Sequence, residues 1–119
     1  MLTTKDLGNR GEEIVATWLM QHEATILARN YQTRLGEVDI IVTKGDVVAF
    51  VEVKTRSIEY FPLSQTVTWT KQQRIIKAAK HFILGNQIQD KVLRFDVATV
   101  VFDNSTHKIE YIRNAFQAR

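Results

Sequence analysis

Two apolar runs at the centre of the chain, Glu37 to Thr43 and Val47 to Thr55, are separated only by Lys44-Gly45-Asp46. Both runs are rich in valine and isoleucine, which favour strands, and a short polar turn holding glycine suits a tight hairpin. This segment therefore predicts two adjacent antiparallel strands. Within them stand Asp39, Glu52 and Lys54. Charged side chains are seldom buried unless they are paired or hold a metal. Glu52 and Lys54 are two residues apart, so on a strand they share a face, roughly 6–7 Å apart. Pairing of the two runs brings Asp39 beside Glu52. Two carboxylates and an ammonium then converge, the equipment for binding a hard divalent cation and holding a water beside it.

The flanks supply helices. Thr3 or Thr4 can cap a helix that runs to about His22, with Leu7, Ile14, Val15, Trp18 and Leu19 at helical spacing and Lys5, Asp6, Arg10 and Glu13 toward water. Glu12 lies close to the apolar stripe, beside Gly8 and Gly11. Glycines inside a helix cost about 1 kcal/mol each relative to alanine, so these two are expected to allow the close approach of another backbone or of a ligand. Ala24 to Tyr31 reads as a short strand, and Ser57 to Ser64, with the single proline Pro62, as a loop. Helical spacing returns from about Gln65 to Leu84. There Ile75, Ile76, Ala79, Phe82 and Ile83 form a buried stripe, Lys71, Arg74, Lys77 and His81 a basic flank, and Gly85-Asn86 a stop. Val92 to Phe102 and Lys108 to Arg113 read as strands around an Asp-Asn-Ser turn. The order is helix, three strands, helix, two strands, which predicts an α/β layer structure with a mixed sheet flanked by helices.

At 119 residues the chain has the length of one domain, taken as residues 1–119. It has no cysteine, which excludes disulfides, thiolate zinc sites and cysteine nucleophiles. His22, His81 and His107 are too widely spaced to form a local metal motif. A net charge of +3 suits a polyanionic ligand. No run is apolar over the ~18–20 residues of a membrane span, and the first residues lack the core of a signal peptide, so a cytoplasmic location is expected.

The constellation Glu12, Asp39, Glu52-Val53-Lys54 resembles the signature of the PD-(D/E)XK nuclease superfamily. Nearly the whole chain is similar to the small bacterial YraN family. The residues that carry the likeness are Gly8-x-x-Gly11-Glu12, Asn30-Tyr31, Arg34 to Asp39, Phe50 to Arg56, the helix starting near Lys71, and Arg94-Phe95-Asp96-Val97. A more distant similarity is to archaeal Holliday-junction resolvases. Val38 stands where the superfamily usually has proline, and Phe61-Pro62 and Gln65 replace a glycine-proline pair and a glutamate of the family's loop. The resemblance implies a restriction-endonuclease-like fold and Mg²⁺- or Mn²⁺-dependent hydrolysis of phosphodiester bonds in DNA, including branched or structured DNA. Asp39 and Glu52 are the expected metal ligands. Lys54 would position the attacking water or neutralise developing charge, and Glu12 would hold a water beside the ion or help to bind a second one.

Each of these residues also has a plainer reading. Asp39, Glu52 and Lys54 could form a buried salt bridge, although such bridges add little stability. Glu37 shares the face of Asp39 if the strand is regular. Asp96 is expected to pair with Arg94 or Lys91. Arg34 and Arg56 flank the site, and with Lys71, Arg74 and Lys77 they are the expected nucleic-acid contacts; a solvated helix face is the alternative for the last three. Trp18 and Trp69 read as core, Trp69 being the better situated for stacking on a base. A nuclease, with a homodimer conceivable on a two-fold substrate, is the leading reading. The alternative is a non-catalytic nucleic-acid-binding or adaptor protein that retains the nuclease fold; a protein-interaction module ranks last.

Overall fold

A computed structural model describes residues 3–57 and 67–118. Its elements in chain order are α1 (Thr4–Gln21), β1 (Thr25–Gln32), β2 (Glu37–Lys44), β3 (Val47–Ser57), α2 (Trp69–Gly85), β4 (Val92–Asp103) and β5 (Thr106–Phe116). They match the expected order. The strands form one sheet in the order β1-β2-β3-β4-β5. β1–β2, β2–β3 and β4–β5 pair antiparallel, and β3–β4 pair parallel, so the sheet is mixed as expected. The parallel pair requires a crossover, and α2 lies within it.

Burial divides along the two faces of the sheet. Phe50 and Val48 of β3 pack with Ile75, Ile76, Ala79 and Phe82 of α2. Ala49 and Val51, the alternate residues, pack with Val15, Ala16 and Leu19 of α1. A strand buried on both faces needs the nearly unbroken apolar run seen from Val47 to Val51. The result is three layers, helix on sheet on helix, consistent with a restriction-endonuclease-like fold.

Local chemistry sets the helix ends. Thr3 caps α1 and forms a reciprocal capping box with Asp6. Thr68 caps α2 by accepting from the Lys71 N–H. The second helix thus begins at Trp69, four residues later than the periodicity predicts, because Val67 and Thr68 form its capped entry. The predicted loop from Ser57 to Ser64 lies outside the described residues apart from Ser57, which ends β3. Strand β5 is longer at both ends than Lys108 to Arg113, since its pairing with β4 runs from Thr106, opposite Asp103, to Phe116, opposite Phe95. Trp69 corrects a core assignment: it is 71% exposed on the first turn of α2. Among the described residues no helix is long and apolar enough to cross a membrane.

Candidate metal and nucleic-acid site

The carboxyl end of β3 is where the sheet comes apart. The β2–β3 ladder runs from Lys44↔Val47 to Ile40↔Val51. Beyond it the Asp39 carboxylate accepts the Val53 N–H at 2.8 Å, so a side chain takes the place of a ladder partner. Strand β2 is irregular at this point. Val38 packs on the α2 side and Ile40 on the α1 side, although a regular strand would put residues two apart on one face. Opposite Asp39, between the pairs Arg29↔Ile40 and Tyr31↔Val38, Asn30 has a φ of 51°. Asparagine tolerates that left-handed region better than most residues. The expectation that Glu37 and Asp39 share a face assumed a regular strand, and the twist between Val38 and Ile40 departs from one.

A cleft of about 580 Å³ opens at this end, bounded by α1, the end of β3 and the first turn of α2. Glu12, Glu52, Lys54, Arg56 and Lys71 line it, and Asp39 lies behind Val53. Two glycines bring the walls together. A Cβ on Gly11 would stand 2.0 Å from Thr55 Oγ1, so α1 can approach β3 only because this residue is glycine. A Cβ on Gly36 would stand 1.9 Å from the Arg74 carbonyl oxygen, which ties the entry of β2 to α2. Gly8 meets nothing within 4 Å and borders the cleft. The two helix glycines therefore divide the roles expected of them, one for backbone approach and one beside open space.

Electrostatics single out Glu52. Its side chain is 8% exposed, and burial, a hydrogen bond to Asp39 and repulsion from Asp39 push its pKa up to about 8. With its pKa near 8, the Glu52 carboxyl is protonated at neutral pH and faces Asp39 as a hydrogen-bond donor. Lys71 opposes the shift, its Nζ lying 3.5 Å from Glu52 and 3.8 Å from Glu37. Burial, and then Asp39, also raise the pKa of half-buried Glu12, while Arg29 and a hydrogen bond from Asn30 hold it down. Burial lowers the pKa of Lys54, and Arg56 adds to this, while Glu52 opposes it.

Among the described residues no group of three or more histidines, aspartates and glutamates stands in metal-holding geometry. The residues that could hold a hard cation are the two neighbouring carboxylates, Asp39 and Glu52. That pair fits Mg²⁺ or Mn²⁺, since a hard cation that keeps most of its waters needs only one or two carboxylates.

The five expected nucleic-acid contacts separate into groups. Lys71 turns into the cleft against Glu52, and Arg56 lines the same cleft while donating to the Thr55 carbonyl at 2.8 Å. Arg34 and Lys77 line a different groove, of about 820 Å³, with His81. Arg74 is exposed on α2. Sequence reasoning gave Asn30 no site role, although it hydrogen-bonds Glu12 from a positive-φ position, and it named Lys71 as a nucleic-acid contact without foreseeing its pairing with Glu52.

Comparison with known proteins adds a family. The sequence model of the uncharacterised protein family UPF0102 matches residues 11–100, a span that holds Glu12, Asp39, Glu52 and Lys54. A UPF0102 protein of Alkaliphilus metalliredigens is 42% identical over 114 residues, covering 95% of this chain and 99% of that protein. One from Geobacter metallireducens is 42% identical over 98% of this chain and 96% of its own length. One from Legionella pneumophila is 37% identical over 97% of this chain and 98% of its own length. None of these three names states an activity.

Proposed function

The chain belongs to the uncharacterised protein family UPF0102, which is the YraN family, and we propose that it is a metal-dependent nuclease of the PD-(D/E)XK type acting on DNA. The observation that carries this reading is the Asp39–Glu52 pair, which holds a proton up to a pH of about 8 in a cleft that Lys54 also lines. A fold gains little stability from carboxylates held so close, whereas a metal site requires them.

Asp39 and Glu52 would hold Mg²⁺ or Mn²⁺. When bound, the ion would supply Lewis-acid neutralisation of the scissile phosphate and lower the pKa of the attacking water. The chain's own residues supply the rest. Asp39 is fixed by the Val53 N–H, so its carboxylate keeps its aim. Lys54, a compact point charge two residues from Glu52, neutralises negative charge as it grows on the phosphate. Glu12 orients a water from the α1 side of the cleft. Lys71 lies between Glu52 and Glu37, and with a cation bound its ammonium would be available to a phosphate oxygen. The first turn of α2 borders the same cleft, and its partial positive charge favours an anion there. Arg34, before β2, and Arg74 and Lys77, on α2, would extend the positive charge to where more distant phosphates would run.

The test is incubation of the purified protein with duplex, single-stranded, flap and four-way-junction DNA in Mg²⁺, Mn²⁺ or EDTA. Cleavage dependent on the metal and lost in Glu52→Gln is expected. Salt-sensitive binding with no cleavage of any substrate would replace this reading with that of a non-catalytic nucleic-acid-binding protein.

A further inference from the structure

A second cavity, of about 330 Å³, lies at the far end of β3 from the cleft, on the α1 side of the sheet. Its floor is apolar, from Leu19, Val42, Val47 and Ala49. Trp18 and Tyr111 form a wall, their rings stacked at 4.9 Å and 27°, and His22 lies 4.0 Å from Trp18 on the same helix end. Lys44, Arg94 and Arg113 line the cavity, and no aspartate or glutamate does.

The residues behind this wall are fixed by a buried network. Asp96, fully buried, accepts from Arg94 Nε and Nη2 at 2.9 Å each, from the Tyr111 hydroxyl at 2.6 Å and from the Asn114 N–H at 2.9 Å. A carboxylate so engaged contributes less to stability than apolar packing would, but it holds an arginine and a tyrosine rigidly. Neither Asp96 oxygen engages Arg94 Nη1. Arg113 stands two residues beyond Tyr111 on β5 and has no ion-pair partner among the described residues. Lys44 donates to the His22 carbonyl at 2.7 Å. Asp96 offsets the charge of Arg94, so Lys44 and Arg113 leave two positive charges at the rim.

We propose that this cavity binds a nucleoside monophosphate, the phosphate on Arg113, Lys44 and Arg94 and the base against the Trp18–Tyr111 wall. The size suits one small organic molecule, at the lower end of ligand pockets. An aromatic wall beside a fixed guanidinium accepts a base and a phosphate together. Two uncompensated positive charges match a phosphate monoester dianion. The site is separate from the carboxylate cleft and does not depend on the nuclease reading.

The experiment uses the full chain with Trp69→Phe, so that Trp18 alone reports by fluorescence. Titration with adenosine 5′-monophosphate is expected to give a saturable change. Lys44→Ala and Arg113→Ala, both on exposed or peripheral side chains, should each weaken binding about tenfold, the size of one charge-assisted hydrogen bond. Adenosine and inorganic phosphate should each bind at least about tenfold more weakly than the nucleotide. Glu52→Gln should leave the affinity unchanged. No saturable change up to millimolar nucleotide, unchanged affinity in the Lys44→Ala/Arg113→Ala double variant, or inorganic phosphate binding as tightly as the nucleotide would each overturn the proposal.

Discussion

Glu52 carries a proton in the folded, metal-free protein that an unfolded chain would release at ordinary carboxyl pH. Its folded pKa is raised, so the native state binds more protons than the unfolded state between about pH 4.5 and 8. Stability linked to this group is fully present below the unfolded value and is lost as pH rises through about 8. In EDTA the unfolding free energy should therefore fall across that window, by an amount on the order of a few kcal/mol. Glu52→Gln keeps a donor toward Asp39 and removes the ionisation, so chemical denaturation of this variant should show a much flatter pH profile. The same proton must leave when a cation binds. Mg²⁺ affinity, followed by calorimetry, should rise up to about tenfold per pH unit below about pH 8 and level off above it. Lys54 is expected to act on charge that develops in the transition state. Lys54→Ala should retain metal and DNA binding in Ca²⁺ yet slow single-turnover cleavage by at least about a hundredfold, with Lys54→Arg giving only partial rescue. Wild-type cleavage by the alanine variant would make Lys54 a structural counter-ion.

At the scale of elements, three glycines predict three different outcomes from one substitution. Gly11→Ala would drive a methyl into Thr55, a short β-branched side chain with little room to move, and should destabilise the fold by roughly 1–3 kcal/mol. Gly36→Ala meets the Arg74 backbone and should cost at least as much, because a helix turn cannot swing aside like a side chain. Gly8→Ala meets nothing and replaces a poor helix former, so it should stabilise by up to about 1 kcal/mol. Urea midpoints rank the three; a Gly11→Ala midpoint as high as that of Gly8→Ala would show that helix propensity, and not the contact between α1 and β3, decides the outcome at Gly11. The element boundaries teach a related lesson. The hairpin ends were legible because glycine and charge interrupt valine runs. The start of α2 was not, because its register depends on the Thr68 hydroxyl meeting the Lys71 N–H.

Across the whole molecule, the basic residues fall into separate surfaces, and this splits their expected effects. Arg34→Ala/Arg74→Ala/Lys77→Ala should weaken DNA binding and reduce the salt dependence of the affinity, by about 0.9 in log-log slope for each duplex phosphate contact removed. Lys71→Ala removes the ammonium beside Glu52 and should act mainly on metal binding and turnover. An unchanged slope in the triple variant would make those three residues a solvated face. The two cavities at opposite ends of β3 can be probed independently, since Glu52 belongs to one and Arg113 to the other.

The sequence by itself determined the order of elements, the central hairpin and the identity of the charged residues within it. Those follow from local preferences: valine and isoleucine in strands, helical spacing of apolar residues, and the high cost of burying charge. The pairing of Arg94 with Asp96 was legible for the same reason, since residues two apart on a strand share a face. Only the tertiary structure decided that Asp39 takes the Val53 N–H, that Asn30 turns toward Glu12, and that Trp69 lies outside the core while Trp18 joins Tyr111 from the far end of the chain. Each of these depends on a strand irregularity, a helix register or a long-range contact, and no local pattern encodes them. The raised pKa of Glu52 has the same origin, because burial and a neighbouring carboxylate exist for that group only once β2 lies beside β3.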